Sequence, residues 1–141
     1  MTTPDIAATV ARLLAASPPP GLASAYLFGS HAEGRAHRES DVDLGVLLRW
    51  EAQRTRSERF EERVRLSAWL AAELGVPDVD VVVLNDAPPQ LGRRIVTAGT
   101  RVFCADPEAD HAFVRDVQLR AADLEPFLRR TRRVKLAAIT R

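Results

Sequence analysis

Three aspartates lie in predicted strands, at positions where an acidic side chain needs a special reason. Asp41 and Asp43 are two residues apart in the run DVDLGVLL, so both should project from one face of a strand, with Cα atoms about 6.5–7 Å apart. Asp80 interrupts the otherwise apolar run VDVVVL, where an ionised carboxylate is costly unless it is paired or bound to a cation. Carboxylates suit Mg²⁺ or Mn²⁺, and two such ions about 3.5–4 Å apart can hold an in-line phosphoryl displacement. The three residues therefore predict a divalent metal site.

Simpler roles for these aspartates stay open. Asp41 can cap the start of a strand beside Ser40, and Asp80 can lie at an exposed strand end. Asp78 precedes Asp80 by two residues and would share its face, but Asp80 is preferred because it is embedded in the apolar run. A calcium-binding loop is excluded, because no acidic ligands follow Asp43 at the required offsets.

A glycine and a serine upstream favour the metal site over the simpler roles of the aspartates. Gly29 and Ser30 end a predicted apolar strand, and ten residues, His31–Ser40, separate them from Asp41 and Asp43. Glycine lets the backbone approach a phosphate closely, and a serine at the start of a helical turn supplies a hydroxyl and an amide. A phosphate cradle that faces a pair of metal-binding carboxylates predicts a nucleotide site.

Helices and strands are interspersed along the chain, which predicts an α/β or α+β fold with a small sheet. The predicted elements are a helix at 4–17, strands at 23–28, 41–48, 79–84 and 100–104, a short helix at 90–98 and a helix from about 107. A further amphipathic helix should end at Gly75 and bury one apolar face, which consists of Phe60, Val64, Ala68, Ala71 and Leu74. The last helix should bury a seam of Phe113, Val117, Ala121, Leu124 and Leu128, and Pro126 should kink or split it.

Composition narrows the class of protein. The 141 residues are 46% hydrophobic and 28% charged, which favours a packed core over disorder. No apolar run approaches the roughly 20 residues that cross a bilayer, and the N-terminus lacks the features of a secretion signal. The single cysteine, Cys104, cannot form an intrachain disulfide, so we expect a cytoplasmic protein.

Charge is distributed unevenly. Residues 1–110 carry 12 basic and 16 acidic side chains, whereas residues 111–141 carry eight basic and three acidic ones. The basic end of the chain is either a solvated helical face or a docking surface for an acidic protein. Direct binding of nucleic acid is a less favoured alternative for the same segment.

With Gly-Ser, ten residues and Asp-x-Asp, the sequence resembles the nucleotidyltransferase superfamily of DNA polymerase beta. The resemblance implies that Gly29 and Ser30 hold the triphosphate of the incoming nucleotide. It implies that Asp41 and Asp43 ligate two Mg²⁺ ions, and that Asp80 completes the site of the ion that activates the acceptor hydroxyl.

More narrowly, the chain resembles the minimal nucleotidyltransferase (MNT) antitoxins encoded beside HEPN-domain toxins, which share the stretch Val83–Pro89 and the small size. Those proteins transfer AMP from ATP to a tyrosine of the cognate toxin and so silence its ribonuclease activity. Glu33 stands where many members have arginine, and Arg35 can supply the lost charge. We expect one domain over residues 1–141, with its core at about 22–104 and a basic helical segment at about 107–139.

Two other functions remain as alternatives. An adenylyltransferase for a small molecule such as an aminoglycoside usually carries a second domain for the acceptor, and about 37 residues beyond Cys104 leave little room for one. A non-catalytic antitoxin would neutralise its toxin by binding alone, although retention of the aspartates with Gly29 and Ser30 argues against decay of the site.

Overall fold

A four-stranded mixed sheet forms the centre of the molecule in the computed structural model, which describes residues 5–29, 41–52 and 55–139. The strand order is β3-β2-β1-β4; β1 pairs antiparallel with β2 and β4, and β2 pairs parallel with β3. The elements in chain order are α1 (Ile6–Ala16), β1 (Leu22–Phe28), β2 (Val42–Leu48), α2 (Arg56–Leu74), β3 (Val79–Val83), a 3₁₀ turn (Leu84–Asp86), α3 (Pro89–Ala98), β4 (Thr100–Cys104) and α4 (Pro107–Ile139). The predicted α/β class is confirmed, and each predicted strand is present to within a residue at either end.

The two faces of β2 separate two clusters of buried side chains. One face carries Val42, Leu44, Val46 and Leu48, which pack with Val10, Leu14, Leu66 and Leu70 of α1 and α2. On the other face, α3 lies directly over Gly45, where a Cβ atom would stand 2.8 Å from Cγ2 of Ile95. Because glycine has no side chain there, α3 can approach the sheet on the face that also carries Asp43.

Local signals set the ends of the first two helices. Asp5 caps α1 by accepting a hydrogen bond from the Ala8 amide, so the helix begins two residues later than predicted. Thr55 and Glu58 form a reciprocal capping box at the start of α2, which satisfies amides that lack a helical partner. Gly75 ends α2 in the left-handed conformation, with φ at +67°, as predicted.

The apolar face predicted for α2 is correct only at its C-terminal end, where Ala71 and Leu74 pack against the core. Phe60 and Val64 are 59% and 52% exposed, and the buried residues are instead Arg59, Leu66 and Leu70. The reason is the position of β3 at the edge of the sheet. The helix turns its leucines toward the strands, and beyond β3 no further strand of the described chain lies under Phe60.

The last helix continues through Pro126, so the helix is not split there, and the alternative of a kink at Pro126 stays a prediction. A proline removes one helical hydrogen bond, and that loss alone does not end a long helix. Of the predicted seam, Val117 and Ala121 are buried and Leu124 is 38% exposed. Within the described residues, no helix is both long enough and apolar enough to cross a membrane.

Candidate active site

Two of the predicted aspartates face each other across neighbouring strands. Asp43 of β2 and Asp80 of β3 are register partners in the parallel pair, so their carboxylates project from the same face on strands about 4.8 Å apart. Asp43 is half-buried, whereas the side chain of Asp80 is 54% exposed. The exposure follows from the edge position of β3, which leaves Asp80 open to a molecule approaching from outside.

The chain leaves β1 directly beside this pair. Phe28 is the antiparallel partner of Asp43, and Gly29 follows it with φ at +77°, a conformation that favours glycine. A Cβ atom on Gly29 would lie 2.5 Å from Oδ2 of Asp43. The Asp43 carboxylate therefore occupies the position that a side chain at residue 29 would take. Ser30, the other predicted phosphate ligand, lies outside the described residues, as does the segment 31–40.

The remaining aspartates lie just before the strands. Asp41 precedes β2, Asp78 precedes β3, and both are exposed. Across 5–29, 41–52 and 55–139, no three acidic, histidine or cysteine side chains are grouped closely enough to hold a metal ion. The structure thus brings together Gly29, Asp43 and Asp80, and the metal set with Asp41 stays a prediction.

Arg63 is a neighbour of the site that the sequence analysis missed. Its Nη2 atom lies 3.8 Å from Oδ1 of Asp80, and its own side chain is 46% exposed. An arginine on α2 has no fixed spacing from a strand aspartate, so no sequence signal identifies the pair. The residues fit a divalent cation, because carboxylate oxygens on two adjacent strands suit a hard ion. In this structure Arg63 supplies the positive charge at Asp80.

Comparison with known proteins decides the family. The family model "Polymerase beta, Nucleotidyltransferase" matches residues 15–108. The chain belongs to this family. It is an enzyme of the nucleotidyltransferase class, and the resemblance found in the sequence is confirmed.

The relatives of this nucleotidyltransferase include toxin–antitoxin proteins. The protein adenylyltransferase MntA of Shewanella oneidensis is 31% identical over 108 residues, which cover 71% of this chain and 67% of MntA. A crystal structure of a toxin–antitoxin with AMP-PNP contains a chain that is 26% identical, with a TM-score of 0.64 over 96% of this chain and 99% of that one. A complex of a tri-AMPylated Shewanella oneidensis HEPN toxin with its MNT antitoxin matches at 23% identity and a TM-score of 0.61, over 96% and 98% of the two chains, a similarity of fold.

The stretch that follows β3 in this nucleotidyltransferase is fixed by two side chains. Asn85 donates to the carbonyl of Leu48 at 2.7 Å and accepts from the amide of Leu48 at 2.9 Å, as a neighbouring strand would. Asp86 accepts two hydrogen bonds from Arg59, at 2.8 and 2.9 Å, and this contact raises the pKa of the guanidinium. The Trp50 ring covers the same guanidinium at 4.8 Å. These contacts fix the path from β3 into α3.

A buried polar group ties α4 to the sheet of the nucleotidyltransferase. Asp110 is 4% exposed, and it accepts hydrogen bonds from the Tyr26 hydroxyl at 2.6 Å and from Arg101 at 3.0 Å. Burial and the bond to Asp110 raise the pKa of Tyr26 well above its usual range, because the phenolate would lie unsolvated beside a carboxylate. Sequence reasoning missed this group, whose members lie on β1, β4 and α4.

Proposed function

We propose that this chain is a magnesium-dependent protein adenylyltransferase, which transfers AMP from ATP to a tyrosine hydroxyl of a cognate HEPN-type ribonuclease toxin and so acts as its antitoxin. The observation that carries the proposal is the pairing of Asp43 with Asp80 beside the bend at Gly29, on the fold of a nucleotidyltransferase. The relative named protein adenylyltransferase supports the reaction, and the complex with AMP-PNP supports an adenine nucleotide as substrate.

We assign the nucleotide and metal ligands as the sequence predicts. Gly29 and Ser30 hold the triphosphate, and Asp41 and Asp43 hold two Mg²⁺ ions, with Asp80 completing one of the two sites. When bound, the ions neutralise phosphate charge and make the acceptor hydroxyl more acidic. Asp78 is the alternative to Asp80, and the register of β2 with β3 favours Asp80, because it alone is paired with Asp43.

The reaction is a direct displacement at the α-phosphorus of ATP. The acceptor oxygen attacks that phosphorus, the bond to the bridging oxygen of the β-phosphate breaks, and pyrophosphate leaves with the electron pair. The acceptor proton passes to Asp80, the carboxylate on the open side of the pair. No covalent enzyme intermediate is needed.

The acceptor is supplied by another protein. Asp80 lies on an edge strand with its side chain 54% exposed, so a second protein can reach it without opening the fold. Binding alone would not require a half-buried carboxylate next to a glycine in the left-handed conformation.

The test is the intact mass of the HEPN-domain protein encoded beside this chain, after co-expression with it. Wild-type chain should add one or more adenylyl groups to the partner, in a reaction reproduced by purified proteins with ATP and Mg²⁺. Asp43→Asn should abolish the added mass, because it removes the charge and keeps the shape, while Asp123→Asn, an exposed site on α4, serves as the control. A partner neutralised without any added mass would identify a non-catalytic antitoxin, and ATP consumed only with an aminoglycoside would identify a small-molecule acceptor.

A further inference from the structure

A groove runs between α2 and the outer edge of β3 and passes the candidate active site at Asp80. We call it the α2–β3 groove; its walls are Phe60, Arg63 and Val64 on the helix and Asp80 and Val82 on the strand. It contains two cavities of about 490 and 350 Å³, which share Phe60 and Arg63 as lining residues. The larger cavity includes Asp80, and the smaller one continues along the strand beyond Val82.

The strand side of the groove is able to pair with a further strand. β3 is the terminal strand in the order β3-β2-β1-β4, and within the described chain its only pairing partner is β2. An open edge presents backbone amides and carbonyls that readily accept another strand. The hydroxyl of Ser67 already donates to the carbonyl of Val79, so one carbonyl at the start of β3 is occupied by this chain itself.

The helix side of the groove is apolar where solvent would favour polar residues. Phe60 and Val64 are more than half exposed, although their spacing is that of a buried helical face. A strand added to β3 would point alternate side chains at α2, about 6.5–7 Å apart. Two adjacent cavities on that wall therefore match two alternate side chains of an extended segment, the arrangement by which sheet-edge binding sites obtain specificity.

Charge at the rim indicates what kind of segment fits. Arg63 pairs with Asp80 at 3.8 Å, so its charge is balanced within the groove. Arg56, whose side chain is 83% exposed, lies 4.0 Å from Asp86, but Arg59 already donates to both oxygens of that carboxylate. Arg93 and Arg94 add positive charge on the neighbouring α3, where both are exposed. The rim is thus suited to carboxylates on the incoming chain.

We propose that the α2–β3 groove binds an extended, apolar and acidic segment of the AMP-acceptor protein as a fifth strand of the sheet, which brings the acceptor hydroxyl to Asp80. The inference rests on the proposed function and names the surface by which the acceptor is recognised. It explains why the amphipathic face of α2 is left uncovered and why the third carboxylate lies on an edge strand.

The experiment places glutamate in the groove and on the outer side of the same helix. Phe60→Glu and Val64→Glu should each weaken binding of the full-length HEPN-domain acceptor at least about tenfold, because they remove apolar contact and repel acidic residues. The KM for the acceptor should rise by a similar factor, while kcat and the affinity for AMP-PNP stay within about twofold. Ala72→Glu, exposed on α2 outside both cavities, should leave every quantity unchanged. All three sites are exposed, so the thermal melt should not shift.

Amide hydrogen exchange distinguishes strand addition from contact with the helix alone. The bound acceptor should slow exchange in β3 and leave the other edge strand, β4, unchanged. Acceptor binding that survives Phe60→Glu, or β3 amides that exchange as fast with the acceptor as without it, would overturn the proposal. A dimer of this chain that Phe60→Glu dissociates would instead assign the groove to a second copy. If the wild type transfers no AMP yet loses acceptor binding through Phe60→Glu, the proposed reaction fails and the docking groove stands.

Discussion

Gly29 and Asp43 lie so close together that no side chain could stand between them. A Cβ atom on Gly29 would be 2.5 Å from Oδ2 of Asp43, and the glycine has φ at +77°. Both constraints act at the point where β1 ends beside β2, so the bend and the carboxylate depend on each other. A nucleotide phosphate that approaches the backbone at Gly29 is thereby brought next to Asp43.

Replacement of Gly29 by alanine should therefore lower AMP transfer by more than the strain of a left-handed alanine would explain. We expect Gly29→Ala to lower AMP transfer by at least about 10²-fold, because the methyl group displaces the Asp43 carboxylate from its position. Gly75→Ala is a matched control, since Gly75 has φ at +67° with nothing within 4 Å of its Cβ position. Both variants should lose about 1–2 kcal/mol of unfolding free energy from the left-handed conformation. Equal transfer rates in the two variants would contradict the role given to the close approach.

Asparagine substitutions should separate Asp80 from Asp78. Because Asp80 is in register with Asp43, Asp80→Asn should reduce transfer by at least about 10²-fold with an unchanged melting temperature. Asp78→Asn, two residues earlier and ahead of the strand, should keep a rate within about threefold of wild type. Single-turnover transfer with saturating ATP measures both rates, and the reverse ranking would assign the third carboxylate to Asp78.

The strands, and the acidic residues that interrupt their apolar pattern, could be predicted from the sequence, because both depend on local patterns. Alternation places Asp43 opposite the apolar face of β2, and a single acidic residue inside an apolar run marks Asp80. Adjacent strands then bring the two together. The sequence left the exposure of Asp80 as one of two alternatives, since it depends on whether another strand lies beyond β3.

The orientation of α2 and the buried polar contacts depend on tertiary packing. Two sets of apolar side chains on α2 could face the sheet. The buried set contains Leu66 and Leu70, and the side chain of Arg59 is buried as well. The bond between Tyr26 and Asp110 joins residues 84 positions apart. No periodicity in the sequence connects such residues, because the sheet order and the docking of α4 bring them together.

Arg59 and Asp86 should contribute to stability rather than to chemistry. Arg59→Met keeps the apolar stem but leaves the carboxylate of Asp86 without its two donors, which should cost about 2–4 kcal/mol of unfolding free energy. Arg65→Met is the control, because Arg65 pairs with Glu62 on an exposed turn of the same helix and should cost less than about 1 kcal/mol. Urea unfolding measures both losses, and Asp86→Asn in the Arg59→Met background should recover part of the stability. A loss of unfolding free energy no larger than that of Arg65→Met would show that the Arg59–Asp86 pair contributes little to stability.

Tyr26 should make the free energy of unfolding fall with rising pH once the pH exceeds the ordinary pKa of tyrosine. Its pKa is raised in the folded state, whereas in the unfolded chain it is near 10. Below that value both states hold the proton, so the contribution is fully present and independent of pH. Above it the unfolded chain releases a proton that the native protein keeps, and the free energy of unfolding falls by about 1.4 kcal/mol per pH unit.

Comparison with Tyr26→Phe isolates this contribution from those of other groups that titrate at high pH. The variant should lose about 1–3 kcal/mol at neutral pH, because the buried Asp110 keeps Arg101 but loses a donor. The difference between the two proteins should then shrink as the pH rises above about 10. Tyr26 is the only tyrosine in the chain, so the ultraviolet absorbance of tyrosinate reports its ionisation directly. An absorbance change centred near the ordinary pKa while the protein is still folded would mean that the hydroxyl is not held by Asp110, and α4 would then need another anchor on the sheet.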